Sequence, residues 1–370
     1  MNTITFITTN IAPYRLMWFE ELSNHFNIVV YYTKDKEKDR EKGFLRNSSS
    51  KCKIIKLNNK DDKDNKICFD VIKAIKENKD NLIIFDGYGT LTNILGLLYC
   101  KIIKKKVFVN VDGFSLGDNM SVFMRKLKKH IVTNYCPYIF CSSEITKKHL
   151  IENGAKENNI FVHNFSSIKK EDILEKPLSF DEKMSVRKEL GMNTDKPIIL
   201  GVGQFIQRKR FEDLIQAVIS IGNKVELYIL GGKPTKEYLE LVGNNKNIHF
   251  LDFVKPEEVY KYYQASNIFV LTSQTDVWGL VINEAMAQGL PVISSDNCIA
   301  GLSMINGNGV IYKTGDVKEL INAINKCLDE KNYNKFAEKS LLIANEYNIE
   351  KMVERQLPIL NMYFEGKIGI

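Results

Sequence analysis

The sequence is poor in several features that mark other classes of protein. Its seven cysteines are odd in number and form neither a CxxC pair nor a cysteine–histidine pattern with zinc spacing, so we expect reduced thiols in place of disulfides or a structural metal. Eight prolines and 22 glycines in 370 residues are too few for a disordered or collagen-like chain. The sequence contains no GxxxxGK[ST] loop and no complete GxGxxG motif, which excludes a P-loop and a standard dinucleotide fingerprint.

Long apolar runs are also missing. The longest, LTNILGLLYC at 91–100, is about half of the roughly 20 residues that a membrane-spanning helix needs, so we predict a core helix there. The opening MNTITFITTN lacks the basic segment of a signal peptide and is interpreted as a first strand, which predicts a cytoplasmic protein. Five scattered histidines give no pattern for a metal site or for catalysis, so we expect no metal.

Positive charge is concentrated in the first half of the chain. Residues 1–170 contain 29 Lys and Arg against 18 Asp and Glu, a formal charge of +11, whereas the remainder carries −4. A basic half suits a membrane surface, a phosphorylated substrate or nucleic acid, unless it is simply a solvated lysine-rich surface. Residues 121–132 alternate apolar and basic side chains, which predicts a helix lying either on anionic lipid or on the core. Aromatic residues do not interleave with this run, so nucleic acid is not expected as a partner.

Strand-like apolar runs alternate with helical patterns twice along the chain. The first series includes ITFITT, NLIIFDG and KVFVNVDG, and a second begins with PIILGVGQ after a polar stretch at about 166–196. Such alternation predicts buried parallel sheets, so we predict an α/β protein with two doubly wound Rossmann-like domains at 1–175 and 176–350. A helix at 351–370 is predicted to pack on the N-terminal domain. Open parallel sheets bind ligands at the carboxyl ends of their strands, and two facing sheets would form a cleft.

Two acids bracket a predicted helix start in TDVWGLVINEAMAQGLPVISS, residues 275–295. A strand should end near residue 273 and the helix begin near residue 278 or 279, which leaves the amides of Gly279, Leu280 and Val281 without acceptors in the helix. Free amides and the helix dipole favour an anion such as phosphate. Asp276 would lie just before this anion site and Glu284 roughly 8 Å beyond it along the helix axis.

A ligand with hydroxyls on both sides of a diphosphate would fit this arrangement, because carboxylates accept hydrogen bonds from hydroxyls. A nucleotide sugar has that composition, with Glu284 taking the ribose and Asp276 the transferred sugar. The alternative is that Asp276 caps the helix and Glu284 is a solvated helix residue.

A basic loop follows another predicted strand end, in GVGQFIQRKRFEDLIQA at 201–217. Arg208, Lys209 and Arg210 lie between the glycine turn at Gly203 and a predicted helix. A lysine there would neutralise a diphosphate as it becomes a leaving group. A solvated cluster of three basic residues is the alternative.

Taken together, these residues resemble glycosyltransferase family 4, the retaining enzymes of GT-B fold. The family pattern is a Glu, seven residues and a second Glu within FGLVxLEAMAxGxPVI, and Asp276 and Glu284 stand at those positions in this sequence. The family's basic loop, GRLxxxKG, corresponds to Gly203, Gln204 and Lys209. The resemblance implies that Lys209 and Asp276 are catalytic.

The sequence departs from the family pattern at three positions. Asp276 replaces the first Glu, Gln204 replaces an arginine, and Arg210 replaces the glycine after the lysine. One cation near the diphosphate is therefore missing, and Arg208 or Arg210 is a candidate to supply it. The resemblance also implies that Gly231, in LGGK, lines the base and diphosphate pocket, although an ordinary turn would explain this motif.

The N-terminal half resembles bacterial transferases that build capsular and exopolysaccharides. The matching segments are TNIAPYRLMWFEEL, which contains Arg15, VDGFSLGD at 111–118, and HNFSSIKKEDILEKPL at 163–178. Many members of the family carry a histidine where this chain has Asp112, so Asp112 is a candidate for the reaction centre, or else it caps the turn at Gly113. Arg15 is a candidate substrate-binding residue.

The resemblance implies a specific function. A sugar would pass with retention of configuration from a nucleotide-diphosphate sugar to a lipid-linked oligosaccharide acceptor, without a metal or other cofactor, in the assembly of capsule, exopolysaccharide or O-antigen-type polymers. The protein would then be cytoplasmic, with peripheral contact at the anionic inner face of the membrane. The alternatives are a nucleotide-sugar epimerase of the same fold and a non-catalytic sugar-binding protein.

Overall fold

The computed structural model describes residues 1–35, 48–58, 67–116 and 121–368. The motif VDGFSLGD therefore ends outside the described residues, because Gly117 and Asp118 are not among them. The described residues form two compact units. The first falls within Met1–Gly113, Asn119–Ser167 and Asn348–Ile370, and the second within Phe114–Asp118 and Ile168–Tyr347. Prediction from the sequence put the main division between residues 175 and 176.

The first unit is built on a parallel sheet of seven strands. In chain order these are β1 (Thr3–Thr8), β2 (Asn27–Tyr32), β3 (Lys53–Lys56), β4 (Leu82–Asp86), β5 (Val107–Val111), β6 (Tyr138–Cys141) and β7 (Ile160–Val162). Their order in the sheet is β3-β2-β1-β4-β5-β6-β7. The chain therefore adds β2 and β3 on one side of β1 and then adds β4 to β7 on the other side. The boundary between β1 and β4 is a topological switch point.

Helices cover this first sheet. They are α1 (Pro13–Leu22), α2 (Asp70–Glu77), α3 (Leu91–Ile102), α4 (Val122–Tyr135) and α5 (Glu144–Glu152). The central strands are apolar and almost fully buried because helices pack on both faces of a doubly wound sheet. Proline at the first position of α1 presets the helical φ angle without losing an intrahelical hydrogen bond, so the chain turns into a helix directly after β1.

The second unit repeats the architecture with six parallel strands. They are β8 (Ile198–Val202), β9 (Glu226–Leu230), β10 (Ile248–Leu251), β11 (Ile268–Leu271), β12 (Val292–Ser295) and β13 (Gly309–Tyr312). Their order is β10-β9-β8-β11-β12-β13, so the switch point lies between β8 and β11. The predicted fold class, two doubly wound α/β domains, is confirmed.

The helices of the second unit alternate with its strands and then continue alone. They are α6 (Phe180–Leu190), α7 (Phe211–Ile221), α8 (Lys236–Val242), α9 (Pro256–Ala265), α10 (Leu280–Ala287), α11 (Ile299–Met304), α12 (Val317–Leu328) and α13 (Glu330–Glu346). Helix α7 shows why these segments are helical: its apolar side chains recur at helical spacing and are buried, including Phe211, Leu214 and Val218, while Ser220 and Gln216 lie on the other face.

The last helix, α14 (Ile349–Phe364), belongs to the first unit. It packs along α1, where Phe364 stacks on Phe26 with ring centroids 5.6 Å apart. The Trp18 indole N–H donates to Gln356 Oε1 at 2.8 Å, which fastens the middle of α14. Among the described residues, no helix combines the length and apolar character needed to cross a membrane.

Candidate active site

The helix start predicted between the two acids exists, at Leu280. Helix α10 begins there, one or two residues later than expected, with Gly279 as its N-cap. Gly279 has φ +104°, a left-handed conformation that strains any other residue, and a Cβ there would lie 2.6 Å from Cys298 Sγ. The first amides of α10 have no acceptor within the helix, so Gly279, Leu280 and Val281 present donors near the end of β11.

A neighbouring segment fixes the loop before α10. The amide of Asp276 donates to Asn297 O at 3.0 Å, and Ala300 N donates to Trp278 O at 2.8 Å. Ser295 Oγ donates to Ser273 O at 2.6 Å from the end of β12. These three hydrogen bonds tie the loop to the end of β12 and to the segment that follows it, and they fix the position of Asp276.

Lys209 and Asp276 meet at the switch point of the second sheet. The Lys209 Nζ lies 2.6 Å from Asp276 Oδ2, and both side chains are largely buried, with 11% and 15% of their surfaces exposed. Thr272 Oγ1 donates to Lys209 O at 2.7 Å, which ties the basic loop to the end of β11. The structure thus brings together two predicted site residues that are 67 positions apart in the chain. Asp276 is an ion-pair partner here, and it does not act as the N-cap of α10.

The three basic residues of the loop divide between two carboxylates: Lys209 and Arg208 lie near Asp276, and Arg210 pairs with Asp213. Arg208 Nη1 is 3.8 Å from Asp276 Oδ2 and the side chain is about half exposed. Arg210 instead makes two hydrogen bonds to Asp213, at 2.7 and 2.8 Å. Of the two candidates for the missing cation, Arg208 is therefore the one beside Asp276, while Arg210 is held by its own helix. Gln204 is half-buried at the end of β8.

The ends of β8 and β9 approach each other closely. A Cβ on Gly231 would lie 1.7 Å from Gly203 O, so only glycine fits at position 231. The Gly203 amide donates to Leu230 O at 2.9 Å, which continues the ladder to the edge. Gly203 and Gly231 therefore form a backbone floor beside the stem of Lys209, whose Cε is the nearest side-chain atom to a Cβ at position 203.

Glu284 is held by a tyrosine that sequence reasoning did not identify. Tyr263 is fully buried on α9, and its hydroxyl donates to Glu284 Oε2 at 2.9 Å. Burial raises the pKa of the Tyr263 hydroxyl, and the charge of Glu284 raises it further, so the hydroxyl remains a donor. Glu284 is half-buried, so the alternative that it is an ordinary solvated helix residue does not describe it.

The end of α9 that carries Tyr263 is itself anchored. Lys183 Nζ donates to Ser266 O at 2.7 Å, and Arg187 Nε donates to Ala265 O at 2.8 Å. Both side chains come from α6. Burial lowers the pKa of Lys183 to about 7, so Arg187 is the cation that interacts favourably with the dipole at the C-terminus of α9. Residues of α6 thus fix α9, and α9 positions Glu284.

Asp112 and Arg15 lie at the switch point of the first sheet. Arg15 Nη2 donates to Asp112 Oδ2 and also forms an ion pair with Asp86, 2.6 Å from its Oδ1. Asn110 Nδ2 donates to Asp112 Oδ1 at 2.9 Å, and Thr8 Oγ1 donates to Asp86 Oδ2 at 2.9 Å. Asp112 is therefore a member of a buried polar cluster and has partners other than the turn at Gly113.

The charges of this cluster depend on each other. Burial alone lowers the pKa of Arg15, but Asp112 and Asp86 raise it by more, so the guanidinium stays charged. Burial raises the pKa of Asp86, and although Arg15 opposes this, Asp112 adds to it. Among the described residues, no group of three or more His, Cys, Asp and Glu side chains could hold a metal ion.

Comparison with known proteins finds similarity to glycosyltransferases. Residues 182–341 match the family described as glycosyl transferases group 1. The chain is 26% identical over 306 residues to an uncharacterized glycosyltransferase of Haemophilus influenzae, which covers 79% of this chain and 80% of that protein. It is 29% identical over 209 residues to the capsular polysaccharide biosynthesis glycosyltransferase CapM of Staphylococcus aureus, a match that spans 52% of this chain and 54% of CapM.

A solved structure shares the whole fold. The crystal structure of HepE from Anabaena in complex with UDP superimposes with a TM-score of 0.76 at 16% identity, over 98% of this chain and all of that one. The chain has the fold of GT-B glycosyltransferases, and over residues 182–341 it is similar to the group 1 glycosyl transferase family.

Proposed function

We propose that the chain transfers a sugar from a nucleotide-diphosphate sugar to an acceptor hydroxyl with retention of configuration. One observation carries the proposal: the Lys209–Asp276 ion pair, at 2.6 Å, lies in the loop that leads into the free amides of α10. A cation and orphan N–H groups next to each other suit a diphosphate. HepE was solved with UDP, and this supports a nucleotide at the corresponding edge.

Four residues of the second unit have a part in breaking the bond to the diphosphate in the proposed reaction. The bond between the sugar and the diphosphate breaks, and the nucleoside diphosphate leaves with the electron pair. Lys209, Arg208 and the amides of Leu280 and Val281 stabilise the charge that grows on the phosphate oxygens. The acceptor oxygen forms the new bond on the face from which the diphosphate leaves, and its proton passes to a departing phosphate oxygen.

Hydroxyl recognition completes the donor site in this proposal. Glu284, with one carboxylate oxygen held by Tyr263, accepts hydrogen bonds from the ribose hydroxyls. Asp276 exchanges part of its contact with Lys209 for the hydroxyls of the transferred sugar. The Gly203 and Gly231 backbone, with Gln204 beside it, lies next to the base and diphosphate.

The proposed acceptor is a lipid-linked oligosaccharide used in capsule or related polymer assembly. The similarity to CapM supports this class, and so does helix α4. This helix exposes Arg125, Lys126 and Lys129 together with the apolar side chains of Met124 and Leu127, which suits contact with an anionic membrane surface. Such contact would bring the enzyme to a membrane-bound acceptor.

Thermal-shift binding tests the donor site. Purified protein is titrated with UDP, GDP, dTDP and their sugars, alongside Glu284→Ala and the matched surface variant Glu338→Ala, which changes an exposed residue of α13. We expect one nucleotide family to raise the melting temperature. Losing a charged hydrogen bond costs about 1.5–3 kcal/mol, so Glu284→Ala should weaken that binding roughly 10- to 150-fold while Glu338→Ala does not. A folded wild type that responds to none of the nucleotides would contradict the proposal.

A further inference from the structure

The first unit contains a basic cavity at the end of its sheet opposite to Asp86 and Asp112. The cavity has a volume of about 890 Å³ and lies where α2, α3 and the end of α14 meet. Its lining includes Asp80, just before β4, and Lys106, just before β5. Because a strand rises about 3.3 Å per residue, β4 puts roughly 15 Å between this cavity and the carboxyl ends of the strands. The cavity is therefore distinct from the cluster around Arg15.

Positive charge dominates the lining of this cavity. Five of its residues are lysines: Lys76, Lys79, Lys104, Lys105 and Lys106. Asp80 is the one carboxylate among the lining residues, so the net formal charge of the lining is five minus one, or +4. In the part of the chain that the structure describes, none of the five lysines forms an ion pair with a carboxylate. The cavity should therefore attract an anion with more than one charge.

Two of the ammonium groups are held by neutral backbone atoms. Lys105 Nζ donates to Lys79 O at 2.5 Å, and Lys106 Nζ donates to Ile368 O at 3.1 Å. An ammonium has three hydrogens, so each of these lysines keeps donors for a ligand. Burial lowers the pKa of Lys105, and the charge of Asp80 opposes this shift without cancelling it. An anion bound in the cavity would favour the charged form of this lysine.

The turn that carries three of the lysines is strained at Lys104. This residue follows the C-cap of α3 and has φ +55°, a left-handed conformation that glycine usually supplies at this place. Both hydrogen bonds of a Schellman motif are present, from Lys104 N to Lys101 O at 3.1 Å and from Lys105 N to Cys100 O at 2.8 Å. Backbone strain of this kind is concentrated at functional sites. Lysine therefore stands where glycine fits better, and it adds a cation to the cavity.

Apolar and aromatic side chains form another part of the wall. Tyr99 comes from α3, Ile103 directly follows that helix, and Phe364 ends α14. Ile103 and its neighbour Ile102 are exposed, so apolar surface continues from the cavity to the outside. Lys76 Nζ lies 5.9 Å from the centre of the Tyr99 ring, which puts a cation next to this surface. An anion with an apolar part matches such a wall better than a bare anion does.

We propose that this cavity binds an organic diphosphate, that is, a diphosphate group joined to an apolar group. A diphosphate brings several negative charges into a small volume, which suits a lining of charge +4, whereas a carboxylate brings one. The apolar group lies on Ile103 and Tyr99. A cavity of this volume is the size of a small-molecule site. The proposal uses no residue of the proposed donor site, so the two can be tested separately.

Hydrogen exchange measured by mass spectrometry locates the ligand on the wild-type chain. The probes are geranyl diphosphate, inorganic pyrophosphate and geraniol, which separate the charged part of the ligand from its apolar part. We expect geranyl diphosphate to slow exchange at 98–106 and 363–368 and to bind more tightly than pyrophosphate, while geraniol does not bind. Vesicles of phosphatidylcholine with and without phosphatidic acid distinguish the source. If the vesicles with phosphatidic acid slow exchange at the same residues, the ligand is a membrane lipid, and if only geranyl diphosphate does so, it is soluble.

Variants test the charged and apolar parts of the cavity. Lys76→Gln and Lys104→Gly should each raise the Kd for geranyl diphosphate about 2- to 5-fold, and together about 4- to 25-fold, because exposed cations contribute modestly and add when independent. Ile103→Ser should raise it about 3- to 10-fold and leave pyrophosphate binding unchanged. Lys104→Gly should keep the wild-type Tm, since glycine accepts the left-handed conformation. Lys148→Ala, at an exposed lysine of α5 in the same unit, should bind like wild type.

Three results would overturn the proposal. Geranyl diphosphate that slows exchange at 276–284 but not at 98–106 would assign the diphosphate to the second unit. Equal affinity in wild type and in the folded double variant Lys76→Gln/Lys104→Gly would show that these lysines are only a solvated surface. Equal binding of geraniol and geranyl diphosphate would leave an apolar groove without an anion site.

Discussion

The two sheets of the molecule have the same kind of polar pair at the same topological place, but the pairs differ in charge and in what surrounds them. At the switch point of the second sheet, one lysine faces one aspartate, with a second cation, Arg208, nearby. At the switch point of the first sheet, one arginine faces two aspartates and packs against the rings of Tyr14, Trp18 and Phe165. We call these two places the first edge and the second edge, after the sheet to which each belongs. The second edge has an excess of positive charge, and the first edge does not.

This difference shows that two sheets of the same architecture can present opposite charge at the same topological place. The second edge adds the free amides of α10 to its cations, so its field favours an anion. At the carboxyl edge of the first sheet, the Arg15 guanidinium is already paired with the carboxylates of Asp86 and Asp112, so little positive charge is left for an anion. The chemistry is therefore determined by the residues at the strand ends, although the two sheets are built alike.

Removing Lys209 should have the largest effect on activity, and it would most directly remove the difference in charge between the two edges. We expect Lys209→Ala to lower kcat about 100- to 1,000-fold, because it deletes a cation that stabilises charge developing in the transition state. The donor KM should change much less than kcat. Steady-state kinetics with the nucleotide sugar identified by thermal shift measures both constants.

Two control variants make this prediction specific. Lys224→Ala removes an exposed lysine of the same unit and should leave kcat at the wild-type value. Arg208→Ala should cause a smaller loss than Lys209→Ala, because its side chain is about half exposed and 3.8 Å from Asp276. A wild-type kcat in Lys209→Ala would show that the second edge does not depend on this cation.

The ease of predicting the two edges from the sequence differs for a physical reason. The second edge is built from two short segments, 203–209 and 275–284, whose residue pattern is visible within a window of about ten positions. The first edge combines Thr8, Asp86 and Asn110, which the parallel sheet brings together from three separate strands, with Arg15 from α1. The sequence does show Asp86 at a strand end in NLIIFDG. It does not show that this strand, β4, pairs with β1, which is what brings Asp86 close to Thr8.

Strand order and helix packing also explain why the sequence did not predict Tyr263 as a site residue. Tyr263 reaches Glu284 only because β11 lies between their helices in the chain and α9 packs beside α10. The fold class, in contrast, followed from the alternation of apolar runs alone, since buried parallel strands are apolar throughout.

The buried core behind the first edge should make the protein sensitive to acid. The Trp18 indole can only donate, so it fixes the Gln356 oxygen toward itself, and the Gln356 amide nitrogen must donate to His163 Nδ1 at 2.7 Å. His163 is therefore neutral. Burial, together with the positive charges of Arg15 and Arg355, lowers its pKa to about 3.

Proton uptake by the unfolded chain then decides the sign of the effect. Between the ordinary histidine pKa of about 6.5 and the native value of about 3, the unfolded state binds the proton and the native state does not. The free energy of unfolding should thus fall as the pH is lowered below about 6.5, by about 2 kcal/mol at pH 5 from this residue. Urea titrations at pH 7.5 and pH 5 measure it.

The matched variants for this experiment are His163→Gln and His25→Gln. His163→Gln should be less stable than wild type at both pH values but should lose about 2 kcal/mol less between them. His25 is exposed, so His25→Gln should keep the wild-type difference. An identical pH dependence in wild type and His163→Gln would mean that the core behind Arg15 accepts a proton, and that the first edge is less enclosed than we describe.

The smallest expected effect concerns the tyrosine that holds Glu284 at the second edge. Tyr263→Phe removes the hydroxyl that donates to Glu284 Oε2 and leaves the ring in place, so the core should stay intact while the carboxylate loses its orientation. If Glu284 recognises ribose hydroxyls, the preference for the nucleoside diphosphate over its 2′,3′-dideoxy analogue should fall roughly fivefold, or about 1 kcal/mol. Tyr262→Phe is the control on the same helix. A preference that stays at the wild-type value in Tyr263→Phe would show that the orientation of Glu284 comes from its own helix, and the second edge would then owe its hydroxyl recognition to α10 alone.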